Sequence, residues 1–204
     1  MINLNIQAKQ FNFNGVDVLS DKQLGEHYKI YTNYVNKTNE TMTALNSQTD
    51  LGLPDHTYSK IRGLKVGEAY AVDAVKLHEY YFGNLNKQNS KCEGKIMDMI
   101  NKEYGNYATF EKRFKDVAQS VRGWAVLSYD KTFNKLHICG LDAHDKGVIV
   151  DSIPLLVVDV YEHAYFMDYG QDRVSYLNNV MMNVDWKVAN DRLAKVVAAE
   201  VSFV

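Results

Sequence analysis

Cysteine and proline are both scarce, with 2 of each among 204 residues. Cys92 and Cys139 stand far apart with no CxxC spacing, so neither a disulfide framework nor a thiolate zinc site is indicated. Pro54 and Pro154 are too few for a proline-rich linker, and the absence of any repeat excludes a solenoid. Long apolar runs are missing as well. The longest, Ile153 to Val158, falls far short of the roughly 20 residues a membrane helix needs. No charge of one sign dominates: the net value is -2, which offers no overall field for nucleic acid or an anionic membrane. GxGxxG, GxxxxGK[ST] and GxSxG do not occur, removing the usual handles for nucleotide chemistry and for a hydrolase serine. The stretch MINLNIQAKQ lacks a basic segment followed by an apolar core, so the expectation is an unexported protein of a reducing, cytoplasmic compartment.

What is present is periodicity. Ser20 reads as an N-cap, after which Leu24, His27, Tyr31, Tyr34 and Thr38 recur at steps of three and four, placing a histidine and two tyrosines on one helical stripe. Leu51 to Gly67 reads as a connection. Ala71, Val75, His78, Phe82 and Leu85 then repeat the helical spacing, so a second histidine sits in an apolar stripe. The polar segment Asn86 to Gly94 marks a boundary, giving an N-terminal helical hairpin domain over 1–88 and a C-terminal α/β domain over 89–204. Beyond it, helices are expected over Lys95 to Lys102 and Tyr107 to Val121. Strands follow over Trp124 to Tyr129, Lys135 to Cys139 and Ile153 to Val160, then helices over Glu162 to Tyr169, Ser175 to Met182 and Trp186 to Val201. Short connections between the strands predict a small antiparallel sheet, and the whole an α+β fold.

The unusual stretch is Asp159-Val-Tyr-Glu-His163, where an apolar strand ends in a carboxylate followed four positions later by a histidine. Burying such a pair costs several kcal/mol unless something satisfies it. If the chain turns helical near Asp159, both groups share a face and can share a cation; the bland alternative is an N-cap aspartate beside an unrelated histidine. His27 and His78, each more ordinary alone as a hydrogen-bonded core residue, complete a set of three imidazoles and one carboxylate. Imidazole with carboxylate suits iron or manganese, whereas thiolates would point to zinc or an iron–sulfur cluster.

With these residues in view, the chain resembles the iron/manganese superoxide dismutase family. The most specific match is IPLLVVDVYEHAYFMDYGQDRVSYLNNVMMNVDW, from Ile153 to Trp186. HYKIYTNYVNKTN from His27, LHEYYFGNL from Leu77, KIMDMINKEYGNYATFEKRFKDVAQSV before Arg122 and GWAVLSYD from Gly123 follow the family's order. The resemblance implies a helical hairpin followed by an α/β domain with a three-stranded antiparallel sheet. It implies one iron or manganese ion per subunit held by His27, His78, Asp159 and His163, and conversion of superoxide to dioxygen and hydrogen peroxide. It also gives Tyr34 a proton-supplying role, makes Trp124 an aromatic wall, and puts Lys29 and Arg173 at the mouth of a substrate funnel. Glu162 is implied to reach across to a partner's metal-bound histidine, in a homodimer or higher homo-oligomer. The alternative is a catalytically silent or differently reactive metal-binding relative on the same scaffold.

The chain departs from the family pattern at several points. The family's ligand usually precedes its tyrosine by eight residues, whereas His27 precedes Tyr34 by seven. Either one residue is deleted, leaving His27 as ligand with Tyr31 in place of a histidine, or Glu26 falls on the ligand position. Helical phase favours His27, because a spacing of seven stays on one face. Ala143 occupies the position of the glutamine or histidine that the family sets against bound solvent, and neighbouring His144 is expected to fill it. Tyr161 stands where tryptophan is common, and Phe166 where tyrosine is frequent.

Overall fold

Ser20 starts the first helix as expected: its hydroxyl accepts from the Gln23 amide at 3.1 Å, and α1 runs over Asp21–Ser47. The computed structural model describes residues 5–47, 50–86 and 90–201. The buried stripe of α1 contains Leu24, His27, Tyr31, Val35 and Thr38, the three-and-four spacing that the apolar pattern required. α2 spans Lys60–Gly83, so the expected connection ends at Ser59 rather than Gly67. Ser59 caps the helix by accepting from the Arg62 amide, which outweighs the loop signal of Gly63 and Gly67. Each glycine costs about 1 kcal/mol relative to alanine in a helix. That cost is tolerated because the later turns anchor α2 through Ala71, Ala74, Val75, Leu77, His78, Tyr81 and Phe82. The expected domain junction at 88/89 lies outside the described residues.

Next come α3 (Gly94–Tyr104) and α4 (Tyr107–Ser120), separated by Gly105 at φ 84°, a conformation glycine adopts without strain. Strands β1 (Trp124–Asp130), β2 (Lys135–Leu141) and β3 (Ser152–Asp159) form one antiparallel sheet in the order β2-β1-β3. Central β1 is buried at every position, as a strand covered on both faces must be. The β1–β3 register shifts between Leu127 and Ser128, next to the pairing of Ser128 with Pro154. Proline has no N–H to give the ladder, and here it lies on an edge strand, where it is tolerated. This register sets Trp124, first in β1, opposite Asp159, last in β3.

The single helix expected over 162–169 is instead a 3₁₀ turn, Glu162–Ala164, followed by α5 (Phe166–Tyr169). Tyr165 breaks the helical path at φ -146°. Asp159 is the end of a strand rather than the start of a helix. Its Oδ1 accepts from the Tyr161 amide at 2.9 Å, a side-chain turn that competes with helix nucleation. α6 (Arg173–Met182) and α7 (Trp186–Val201) complete the chain.

α2 and α7 pack on β3, while α4 packs on β1 and β2. Buried Asn84 joins hairpin to sheet: its Oδ1 accepts from the Val157 amide at 2.9 Å and its Nδ2 donates to the Val157 carbonyl at 3.1 Å. The C-terminal end of β3 is thereby pinned beneath α1 and α2, where their histidines point.

Candidate metal centre

His27 from α1, His78 from α2, and Asp159 and His163 from the β3 end converge so that one ligand atom from each lies within 4.8 Å of all the others. Asp159 Oδ2 is the hub. It stands 3.0 Å from His27 Nε2, 3.2 Å from His163 Nε2 and 3.9 Å from His78 Nε2. The side chains of His27, His78 and Asp159 are fully buried, whereas that of His163 is 27% exposed. Tyr176 holds the backbone here by donating to the Asp159 carbonyl at 2.7 Å.

Proton bookkeeping shows that these residues fit a cation. His78 Nδ1 lies 2.7 Å from the Ala74 carbonyl, which can only accept, so Nδ1 carries the proton and Nε2 a bare lone pair. Burial, and then the neighbouring imidazole of His27, pushes the His78 pKa down to about 3, so the ring stays neutral. The Nε2 lone pair therefore faces Asp159 with no hydrogen-bond partner. Two buried acceptors facing each other cost free energy that a cation between them removes. His27 Nδ1 is likewise buried without a partner, and burial lowers its pKa too. Burial pushes Asp159 up, but His163 and then His27 prevail through charge and hydrogen bonds, holding its carboxyl below the usual range. Neutral His27 and His78 beside an ionised carboxylate are the protonation states metal binding needs, while Asp159, against the effect of burial, raises the pKa of His163.

Beside the cluster runs a polar chain. The Trp124 indole N–H donates to His144 Nδ1 at 3.0 Å, so the neutral ring carries its proton on Nε2 and donates to the Tyr34 hydroxyl at 3.0 Å. Burial lowers the His144 pKa to about 4, keeping this tautomer neutral. Burial, then Tyr70, raises the Tyr34 pKa, so the phenol keeps its proton. Aromatic rings close the wall: Trp124 meets His78 edge-on at 5.0 Å, and Tyr161 stacks on His163 at 5.2 Å. Gly123 admits Tyr161, since a Cβ there would meet its ring at 3.1 Å.

Residues 92–192 match the family described as iron/manganese superoxide dismutases, C-terminal domain. The iron superoxide dismutase of Aquifex pyrophilus is 35% identical over 185 residues, covering 89% of this chain and 87% of that protein. The chain belongs to the iron/manganese superoxide dismutase family. The iron superoxide dismutase of Sulfolobus acidocaldarius is 33% identical over 180 residues, covering 86% of this chain and 83% of its own. A manganese superoxide dismutase of Haloarcula marismortui is 28% identical over 173 residues, covering 84% and 82%.

The other residues expected in a dismutase site are distributed as follows. Tyr31 is buried next to the cluster, its hydroxyl accepting from the Lys9 amide at 2.8 Å and donating to Glu79 at 3.0 Å. Glu26 points outward, its side chain 51% exposed and bonded to Lys29 at 2.7 Å. Lys29 is 68% exposed and is thus engaged along its own helix. Arg173 donates to the Tyr165 hydroxyl at 3.0 Å and the Val121 carbonyl at 2.9 Å. Glu162 is exposed. Two contributors went unforeseen in the sequence. Gln23 donates to the His163 carbonyl at 2.6 Å and accepts from the Met167 amide at 3.1 Å, tying α1 to the turn that carries His163. Tyr70, two helical turns before His78, packs against His144 with ring centroids 4.6 Å apart. Helical spacing counted back from His78 would have flagged Tyr70; no local pattern marks Gln23. Among the described residues, no helix is long and apolar enough to cross a membrane.

Proposed function

We propose that the chain is a superoxide dismutase, converting two superoxide anions and two protons into dioxygen and hydrogen peroxide. Nε2 of His27, His78 and His163 and Oδ2 of Asp159 would hold one iron or manganese ion. The observation that carries this reading is the convergence of those four atoms around a lone pair with no hydrogen-bond partner. When bound, the ion supplies the one-electron oxidation and reduction of superoxide. Asp159 supplies the negative charge that balances it, and the buried rings restrict water around it.

The residues of the chain handle the protons. His144 is fixed by Trp124 so that its Nε2–H points at the Tyr34 oxygen, which leaves the Tyr34 O–H to be shared between Tyr70 and the incoming anion. Tyr34 is the proton donor and His144 its positioning residue. Lys29 and Arg173 act at longer range as the positive side of the approach, while Trp124, Tyr161 and Tyr31 shape the wall. Exposed Glu162 lies beside the partly exposed ring of His163, flanked by exposed Phe166 and Met167. This arrangement supports a homodimer in which Glu162 meets the partner's His163. Two free cysteines accord with a reducing cytoplasm.

Replacing His163 with Ala tests the reading. Protein produced with both metals available should lose metal content and superoxide removal together; full retention of either dismisses the assigned centre.

A further inference from the structure

Away from the metal centre, α2 and α7 each turn residues at i, i+3 and i+4 toward a common cleft of about 370 Å³. Lys76, Glu79 and Tyr80 come from α2; Arg192, Lys195 and Val196 come from α7. Arg192 is the built element. Its guanidinium lies 4.6 Å from the centroid of the Tyr80 ring and donates to the Leu155 carbonyl at 2.7 Å, the Tyr80 carbonyl at 3.0 Å and Asn84 Oδ1 at 3.3 Å. Gly83 makes room for it, since a Cβ there would sit 3.2 Å from Nη2. All three acceptors are neutral, and no carboxylate among the described residues lies within 4.0 Å of this cation, Asp185 acting on it only from farther away. Its Nε–H and second Nη2–H are left over, because a guanidinium has five donors.

The surrounding charges reinforce that excess. Lys195 has no hydrogen-bond or ion-pair partner among the described residues, and Lys76 is held only loosely, 4.0 Å from Asp73. Glu79, the carboxylate lining the cleft, is already bonded by Lys9 and by the Tyr31 hydroxyl. Arg192, Lys76 and Lys195 thus face one opening on a chain of net charge -2, and of the three Lys195 has no partner among the described residues. Ile153 and Val196 supply an apolar wall beside them.

We propose that this cleft binds a small phosphorylated organic anion carrying two or more negative charges. Arginine's fork and the lysines take the phosphate oxygens, and the apolar wall takes the carbon skeleton. Isothermal titration of the metal-loaded protein with fructose 1,6-bisphosphate in low salt tests this. One saturable site per chain is expected, weakened about tenfold by Lys195→Glu and comparably by Lys76→Glu, as reversal of a charge facing a polyanion requires. Lys195 is exposed, so its substitution leaves the fold and dismutation unchanged. Absence of saturation below 10 mM ligand, or binding indifferent to both substitutions, overturns the proposal. Equal or tighter binding of tricarballylate, a carboxylate of similar charge, overturns the phosphate assignment.

Discussion

Truncating His144 tests the proton chain most directly, because the structure fixes what each atom must do. His144→Ala strands the Trp124 indole N–H, buried with its ring at 0% exposure, at about 2 kcal/mol for an unsatisfied buried donor. It also removes the bond to Tyr34, worth about 1 kcal/mol, and leaves a hole that costs about 1–2 kcal/mol. The total of about 4–5 kcal/mol should appear in urea unfolding of the metal-loaded protein. His144→Gln is the informative partner. A carboxamide oriented with its oxygen toward Trp124 and its nitrogen toward Tyr34 repeats the acceptor-then-donor order of the neutral ring. It should recover stability to within about 1 kcal/mol and most of the turnover, while Ala should lose both. If Gln is as damaging as Ala, or if Ala costs less than about 1 kcal/mol, the assigned tautomer and chain are wrong.

Three further outcomes follow from the same geometry. His27→Ala should reduce metal affinity by more than the roughly 100-fold typical of losing a partner behind a ligand, whereas Glu26→Gln should leave metal content unchanged; elemental analysis of both variants decides the register of α1. Tyr34→Phe should keep the metal bound and slow proton-dependent turnover by about 100-fold, read by pulse radiolysis across pH; metal loss there would mean that Tyr34 is misplaced. Metal-free protein should lose stability as pH falls below 6.5, because His78 stays neutral when folded down to about 3 while the unfolded chain takes up its proton earlier. Between pH 7 and pH 5 the loss attributable to His78 is about 2 kcal/mol, visible as a steeper decline than in His78→Gln; His163, whose pKa is raised by Asp159, acts in the opposite sense in both proteins.

The fold was legible where periodicity and capping agree. Ser20 before the Leu24–His27–Tyr31 stripe marks α1, and the apolar runs after Gly123 mark the three strands. It misled where local and tertiary signals conflict. Gly63 and Gly67 suggest a loop, yet they sit in α2 because its buried later turns contribute more than two glycines cost. Glu162 to Tyr169 has a helical pattern, yet the side-chain turn at Asp159 and the extended φ of Tyr165 split it. Neither conflict could be weighed without knowing what the segment packs against.

At the candidate centre, the sequence pointed to the four residues that converge in the structure, but not to their arrangement. The choice between Glu26 and His27 turns on helical phase, and phase becomes decisive only once the inner face of α1 is known. Spacings of four and seven put Tyr31 and Tyr34 on the face of His27, so burying that face drives Glu26 outward to Lys29. The same phase gives Tyr31 a consequence beyond filling space. Its hydroxyl links the Lys9 backbone to Glu79, the neighbour of His78, so the N-terminal segment, α1 and α2 share one polar junction beside the histidine cluster. A chain that had kept the family's eight-residue spacing would need a bulge in α1 to bring both ligand and tyrosine inward. An interval of seven brings His27 and Tyr34 inward on a regular helix, so it is compatible with the proposed centre.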